Sequence, residues 1–175
     1  MMLLITSQEA ALDRVSRASD AATAEQIAMG AEASVVDALR RDLDTGPDTD
    51  HFSEPWARSV IQEEVALATG RFSVGVTDLQ AKFDINLLTA PAVGPQTLFQ
   101  RLATRLDIDA AEARRIAELV ALLGAVRDLS DLEARGIAPD TLARLAPHVP
   151  ALPVPSTINL NTADPLLMEV LFQNP

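Results

Sequence analysis

The sequence predicts an α+β fold, with one long N-terminal helix, a small antiparallel sheet and a large helical second half. Three observations carry this reading. Residues 8–43 hold no proline and a single glycine, Gly30, in an alanine-dense stretch. Residues 63–88 contain the alternating run "GRFSVGV" after a Thr-Gly turn signal. From Pro91 onward, leucines recur at helical spacing between the breaks "VGPQ", "ALLGAV" and "RGIAPDT".

The first stretch favours helix because alanine and long straight side chains dominate and no breaker interrupts them. Val15, Ala18, Ala22, Met29, Val36, Leu39 and Leu43 form one apolar stripe at three- and four-residue spacing. A second stripe, Ile27, Ala31, Val35 and Ala38, broadens the apolar surface of the C-terminal half. The later half is therefore expected against a body. The earlier half keeps a thin seam through Leu12, Val15, Ala18 and Ala22, a helix face suited to a partner.

Thr45-Gly46-Pro47 ends the helix and opens a loop over residues 45–58, "DTDHFSEPWA" at its centre. Asp48, Asp50 and Glu54, with His51, are the candidate metal ligands, since they place oxygen and nitrogen donors at short spacing. The spacing fits neither an EF-hand nor a zinc pattern, so a solvated acidic loop is the expectation. Trp56 is expected to pin the loop, its indole N–H on a backbone carbonyl.

In the second stretch Phe72, Val74 and Val76 alternate with Ser73, Gly75 and Thr77, and a third run follows from Phe83 through Ile85 to Leu87. About three antiparallel strands are expected. The third stretch, residues 91–175, is expected to be helical. Its core would be Leu98, Leu102, Leu119, Leu122, Leu132, Leu142 and Leu145. "INLNTADP" near its end reads as a structural clasp. Asn159 and Asn161 would satisfy backbone groups, Ile158 and Leu160 would point inward, and Thr162 or Asp164 would cap a helix starting at Pro165.

Composition limits the function classes. The chain has 175 residues, 48% of them hydrophobic, which supports a folded chain. It has no cysteine, which removes disulfides, thiolate metal sites and cysteine nucleophiles. Net charge is −11, a field that repels phosphate backbones. His51 and His148 stand isolated, and no serine shows a base partner, so no catalytic set is expected. The opening "MMLLI" is too short to span a bilayer and follows no basic region.

"LSDLEARGIAPDTLARLAPHV" resembles a helix-hairpin-helix element, and with "INLNTADPLLMEVL" it resembles competence-type DNA receptors. The alternative function is thus duplex binding. Against it, Asp131, Glu133 and Asp140 surround the hairpin, with only Arg135 and Arg144 opposite them. Affinity for DNA grows with the phosphates neutralised, so packing is the expected use of this motif and nucleic acid is not an expected partner.

The order of the pieces carries a second resemblance. A long helix, then "EPWA", then "VTDLQAKFDINLL" with Asp78, Gln80 and Asn86, then a helical insert ending in "INLNTA", resembles the large minor pseudopilin of type II secretion, the K subunit. The resemblance implies a pilin-like fold: a long helix on a small antiparallel sheet over residues 1–90, with an inserted all-α domain of helix-hairpin-helix or SAM-like elements over residues 91–175. It also implies a structural, non-enzymatic role at the tip of a periplasmic pseudopilus. The I and J minor pseudopilins would be partners, and the secretion channel or the substrate further ones. By the resemblance the sequence is expected to be truncated: the family's N-terminal transmembrane helix, which tethers it to the inner membrane, its prepilin peptidase site and its terminal strands would lie outside these 175 residues. Ala81 and Asp84 stand where the family has Gly and Asn. An acidic "DWxDxD" stretch that helps the family bind calcium is missing, since "ELVALLGAVRDLSDL" runs straight through, and no cofactor is expected. The closing "EVLFQNP" resembles a viral 3C protease cleavage tag, yet its apolar residues suit a native helix.

Overall fold

The computed structural model describes residues 2–46, 49–58, 62–154 and 156–172. Two compact units divide the chain, Met1–Thr77 and Asp78–Pro175.

The first unit is built on helix α1, Met2–Thr45, a run of 44 residues and so about 66 Å long at 1.5 Å per residue. Its end is marked by Gly46, whose N–H reaches back to the Asp42 carbonyl at 2.6 Å. Helix α2, Pro55–Arg58, is a single turn. Strands β1, Gln62–Leu67, and β2, Gly70–Val74, pair antiparallel around the two-residue loop Ala68-Thr69, with Leu67 opposite Gly70. Gly70, Phe72 and Val74 are half-buried while Arg71 and Ser73 are exposed, the period-2 alternation read from the sequence.

Helix α1 contacts β2 and α2. The positions it buries in part are Thr23, Ile27, Ala31, Val35, Ala38 and Asp42, one face at steps of three or four. Gly70 matters at this contact, because a Cβ there would stand 3.0 Å from Ile27 Cδ1. Glycine thus lets the strand approach the helix. Only the second apolar stripe packs. Val15, Ala18, Ala22, Met29, Val36, Leu39 and Leu43 are all exposed, which corrects the expectation of burial along the later half of the first stripe.

The second unit is helical. Two short 3-10 turns, Leu79–Ala81 and Ile85–Thr89, lead into helices α3 (Val93–Arg105), α4 (Ala110–Leu123), α5 (Ser130–Glu133), α6 (Pro139–Leu145) and α7 (Pro165–Phe172). Asp109 caps α4, its carboxylate accepting from the Ala111 N–H at 2.7 Å. One apolar core joins Phe83, Ile85 and Leu88 to Phe99, Leu102, Ile116, Val120, Leu132, Ile137, Leu142, Leu145, Val149, Leu167 and Val170. The Phe83 and Phe99 rings lie 5.6 Å apart, centroid to centroid.

Three expectations are corrected. The run Phe83–Leu87 is not a third strand. Asp84 Oδ1 accepts from the Asn86 N–H at 3.0 Å and turns the chain into the 3-10 segment. The division of the chain falls between Thr77 and Asp78, not at residues 90 and 91, because the 3-10 segments supply core residues to the helical unit. Leu122 is 80% exposed, whereas Leu102, Leu132, Leu142 and Leu145 are buried and Leu98 and Leu119 pack against the core. Leu122 falls off the face of α4 that buries Ala113, Ile116 and Val120.

Candidate functional site

Three features can do work in this molecule. The first is the N-terminal face of α1. Leu12 and Val15 are 69% and 68% exposed, and Ala18 and Ala22 are exposed beside them. In proteins most helical stability comes from packing of an apolar face rather than from propensity, and this half of α1 leaves its apolar face exposed.

The second feature is the turn after α1. Glu54 is 4% exposed, and its Oε2 accepts from the His51 N–H at 2.7 Å and from the Trp56 indole N–H at 2.9 Å. Trp56 is buried and tilted against Phe52, with ring centroids 6.4 Å apart. The indole thus bonds a carboxylate rather than the expected backbone carbonyl. A carboxylate two residues away supplies a stronger, charge-assisted acceptor. First the His51 amide and then the indole hold the Glu54 carboxyl below its ordinary value of 4.5, against the upward push of burial, with the His51 charge a smaller downward effect. Carboxylate oxygens of Asp42, Asp50 and Glu54 lie within 4.8 Å of one another. Asp50 and Glu54 were both candidates by sequence; Asp48 lies outside the described residues. Asp42 was missed because it belongs to the helix, where an acidic residue carries no loop signal. His51 is not isolated, since its Nδ1 lies 2.7 Å from the Ser53 hydroxyl in the same exposed turn. Such a contact two residues apart is ordinary turn chemistry.

The third feature is the clasp. Asp78 Oδ1 accepts from the Gln80 N–H at 2.8 Å and caps the first 3-10 turn. Its Oδ2 accepts from Asn159 Nδ2 at 3.1 Å and from the Thr162 hydroxyl. Backbone bonds from Asn159 N–H to the Gln80 carbonyl (2.9 Å) and from Asp164 N–H to the Ala81 carbonyl (2.8 Å) complete it. Asn161 is exposed and takes part through its N–H, which reaches Asn159 Oδ1 at 3.1 Å. Asp164, not Thr162, caps α7, accepting from the Leu166 N–H at 2.8 Å, while its second oxygen meets His148 Nδ1 at 2.6 Å. Leu160 is 54% exposed, which corrects its inward assignment, whereas Ile158 packs on the core.

Asn86 works in the same unit. Its buried amide donates to the Val126 and Leu152 carbonyls at 3.0 and 2.9 Å and accepts from the Val126 N–H at 2.9 Å. One side chain so ties the loop after α4 to the segment after α6.

No family profile matches the chain. A curated relative is the type II secretion system protein K of Pseudomonas aeruginosa, 27% identical over 207 aligned positions. The alignment takes in 97% of this chain and 62% of that protein. Among solved structures, a chain of the GspK–GspI–GspJ complex from the enterotoxigenic Escherichia coli type 2 secretion system superposes with a TM-score of 0.77. That match covers 92% of this chain and 70% of the other at 24% identity. In sequence the chain is similar to a type II secretion protein K, and it shares the fold of a chain of the GspK–GspI–GspJ complex. The alignment to the Pseudomonas aeruginosa protein K is longer than the chain itself, so that protein carries internal segments absent here.

The fold accounts for the hairpin too. Gly136, at φ +89°, turns α5 into α6, and the elements bury Leu132, Ile137, Leu142 and Leu145. Arg144 spends a guanidinium N–H on the Asp107 carbonyl at 3.1 Å. The hairpin serves packing. Among the described residues no helix is long and apolar enough to cross a membrane.

Proposed function

We propose that the chain is a structural minor pseudopilin of type II secretion, acting without catalysis. It assembles with the I and J minor pseudopilins at the pseudopilus tip and starts or caps the fibre during protein export. The reading places it in the periplasm, held to the inner membrane by the helix the family carries ahead of this region.

The observation that carries it is the seam on α1, read beside the two relatives. Small and apolar side chains stand exposed at Leu12, Val15, Ala18 and Ala22 on a helix about 66 Å long. Alanines let another helix approach closely, so the face suits a helix bundle. The solved neighbour belongs to a complex whose name joins a K protein to I and J proteins. Support for the alternative, duplex binding, is lacking at the hairpin, where acidic side chains outnumber free guanidiniums.

The test is a pull-down of I and J minor pseudopilins with the tagged chain, run beside a gel shift on duplex DNA at low salt. The reading expects both partners in one complex and no shifted duplex. Failure to retain either partner, or salt-sensitive duplex binding, contradicts it.

A further inference from the structure

We propose that the partner surface of α1 runs past Ala22 to Leu43 and takes one partner helix that carries lysine or arginine. Glu25 and Glu32, inside that surface, select those cations and turn away a second copy of this chain. The proposal rests on the pseudopilin reading for the identity of the partners. It goes beyond that reading in stating the chemistry their helix must carry.

The surface is a repeat of seven. Val15, Ala22, Met29, Val36 and Leu43 stand seven residues apart, with Ala18 and Leu39 three residues after the first and fourth of them. All are exposed, Met29 at 63% and Leu43 at 86%. At about 3.6 residues per turn they fall on the side of α1 away from Ile27, Ala31, Val35 and Ala38, the face packed on β2. Helix α1 is therefore apolar on two opposite faces, and the hairpin covers one. A repeat of seven kept over about 42 Å of helix is the seam of a left-handed coiled coil, which a second helix fills.

The charges decide which helix. Glu25 and Glu32 hold the inner positions three residues after Ala22 and Met29, and both are exposed. Closing the seam over them buries two carboxylates, which calls for a cation opposite each. A second copy in register supplies none. The arginines of α1, Arg14, Arg17, Arg40 and Arg41, stand eight or more residues from either glutamate. A parallel copy sets Glu25 on Glu25 and Glu32 on Glu32. An antiparallel copy centred on Met29 leaves both against apolar residues or each other. Like charges and unpaired charges both oppose association. A helix with apolar residues every seven positions, and lysine or arginine at two inner positions seven apart, fits instead.

The experiment uses the full chain, alone and with the I and J minor pseudopilins. Glu25→Lys and Glu32→Lys should each weaken the complex at least about tenfold. Asp13→Lys makes the same charge change on the other side of the helix, and its complex should stay within about twofold of the wild type. In sedimentation velocity the wild type should run as a monomer. The double variant Glu25→Leu/Glu32→Leu, its seam apolar throughout, should self-associate. A complex of wild-type strength from either Glu25→Lys or Glu32→Lys overturns the proposal, as does an equal loss in Asp13→Lys. A self-associating wild type or a monomeric double variant overturns it too. No wild-type complex with the partners, beside a self-associating double variant, would instead sink the pseudopilin reading and leave the exclusion of a second copy standing.

Discussion

Asp78 and Thr162 stand 84 residues apart in the chain and share a hydrogen bond between Oδ2 and Oγ1. The same carboxylate caps the turn at Gln80 and takes the Asn159 amide, so one side chain closes the helical unit's first segment onto its last. "INLNTADP" spends its polar residues on this closure, and Asp164 on the helix that follows.

Asp78→Ala should therefore destabilise the helical unit by about 2–3 kcal/mol, because three donors lose a charged acceptor. Thr162→Val should cost less, about 1 kcal/mol, since Asp78 keeps its other partners. Urea unfolding followed by circular dichroism checks both. Equal midpoints for Asp78→Ala and the wild type would contradict the clasp.

The leucines of α3 and α4 separate by burial. Leu102→Ala should cost about 2–5 kcal/mol, the range for a core truncation. Leu122→Ala should stay within about 0.5 kcal/mol of the wild type, since Leu122 is largely exposed. Thermal unfolding of the two variants side by side measures the difference, and comparable losses would mean that the core is drawn wrongly.

Glu54 gives a pH dependence. Its folded-state pKa is lowered, so its contribution to stability is present above the ordinary value of 4.5 and is lost as pH falls through the folded value. Trp56 fluorescence should report loosening of the turn only on the acid side. Glu54→Gln should flatten that acid dependence. A loss of stability of the turn on raising pH from 5 to 8, roughly the usual stability plateau, would be opposite in sign.

Much of the fold was legible in the sequence because period and burial coincide. Ile27, Ala31, Val35 and Ala38 share a face at helical spacing, and that is the face α1 buries. Phe72 and Val74 alternate, and β2 follows them. The failure at Phe83–Leu87 has a local cause: the segment alternates like a strand, but Asp84 bonds the amide two residues on and bends it. Within the clasp, the turn at Asn159 and the cap at Pro165 were visible as local chemistry. Its partner Asp78 was flagged in "VTDLQ", yet no local pattern states that the two segments meet. Asp42 joins the loop carboxylates only through the path of the chain after Gly46, which a residue count cannot supply.

The central claim is that α1 offers its N-terminal seam to the I and J minor pseudopilins. Val15→Glu and Ala22→Glu test it, since both residues are exposed in the monomer and neither change should unfold it. In the assembly each would bury an unpaired charge, at a cost on the order of 2 kcal/mol or more. The measurement is native mass spectrometry of the chain mixed with both partners. The account predicts a 1:1:1 complex for the wild type and a marked loss of it for either variant, with circular dichroism unchanged. Wild-type yields of the complex from both variants, or no complex from the wild type, would contradict it.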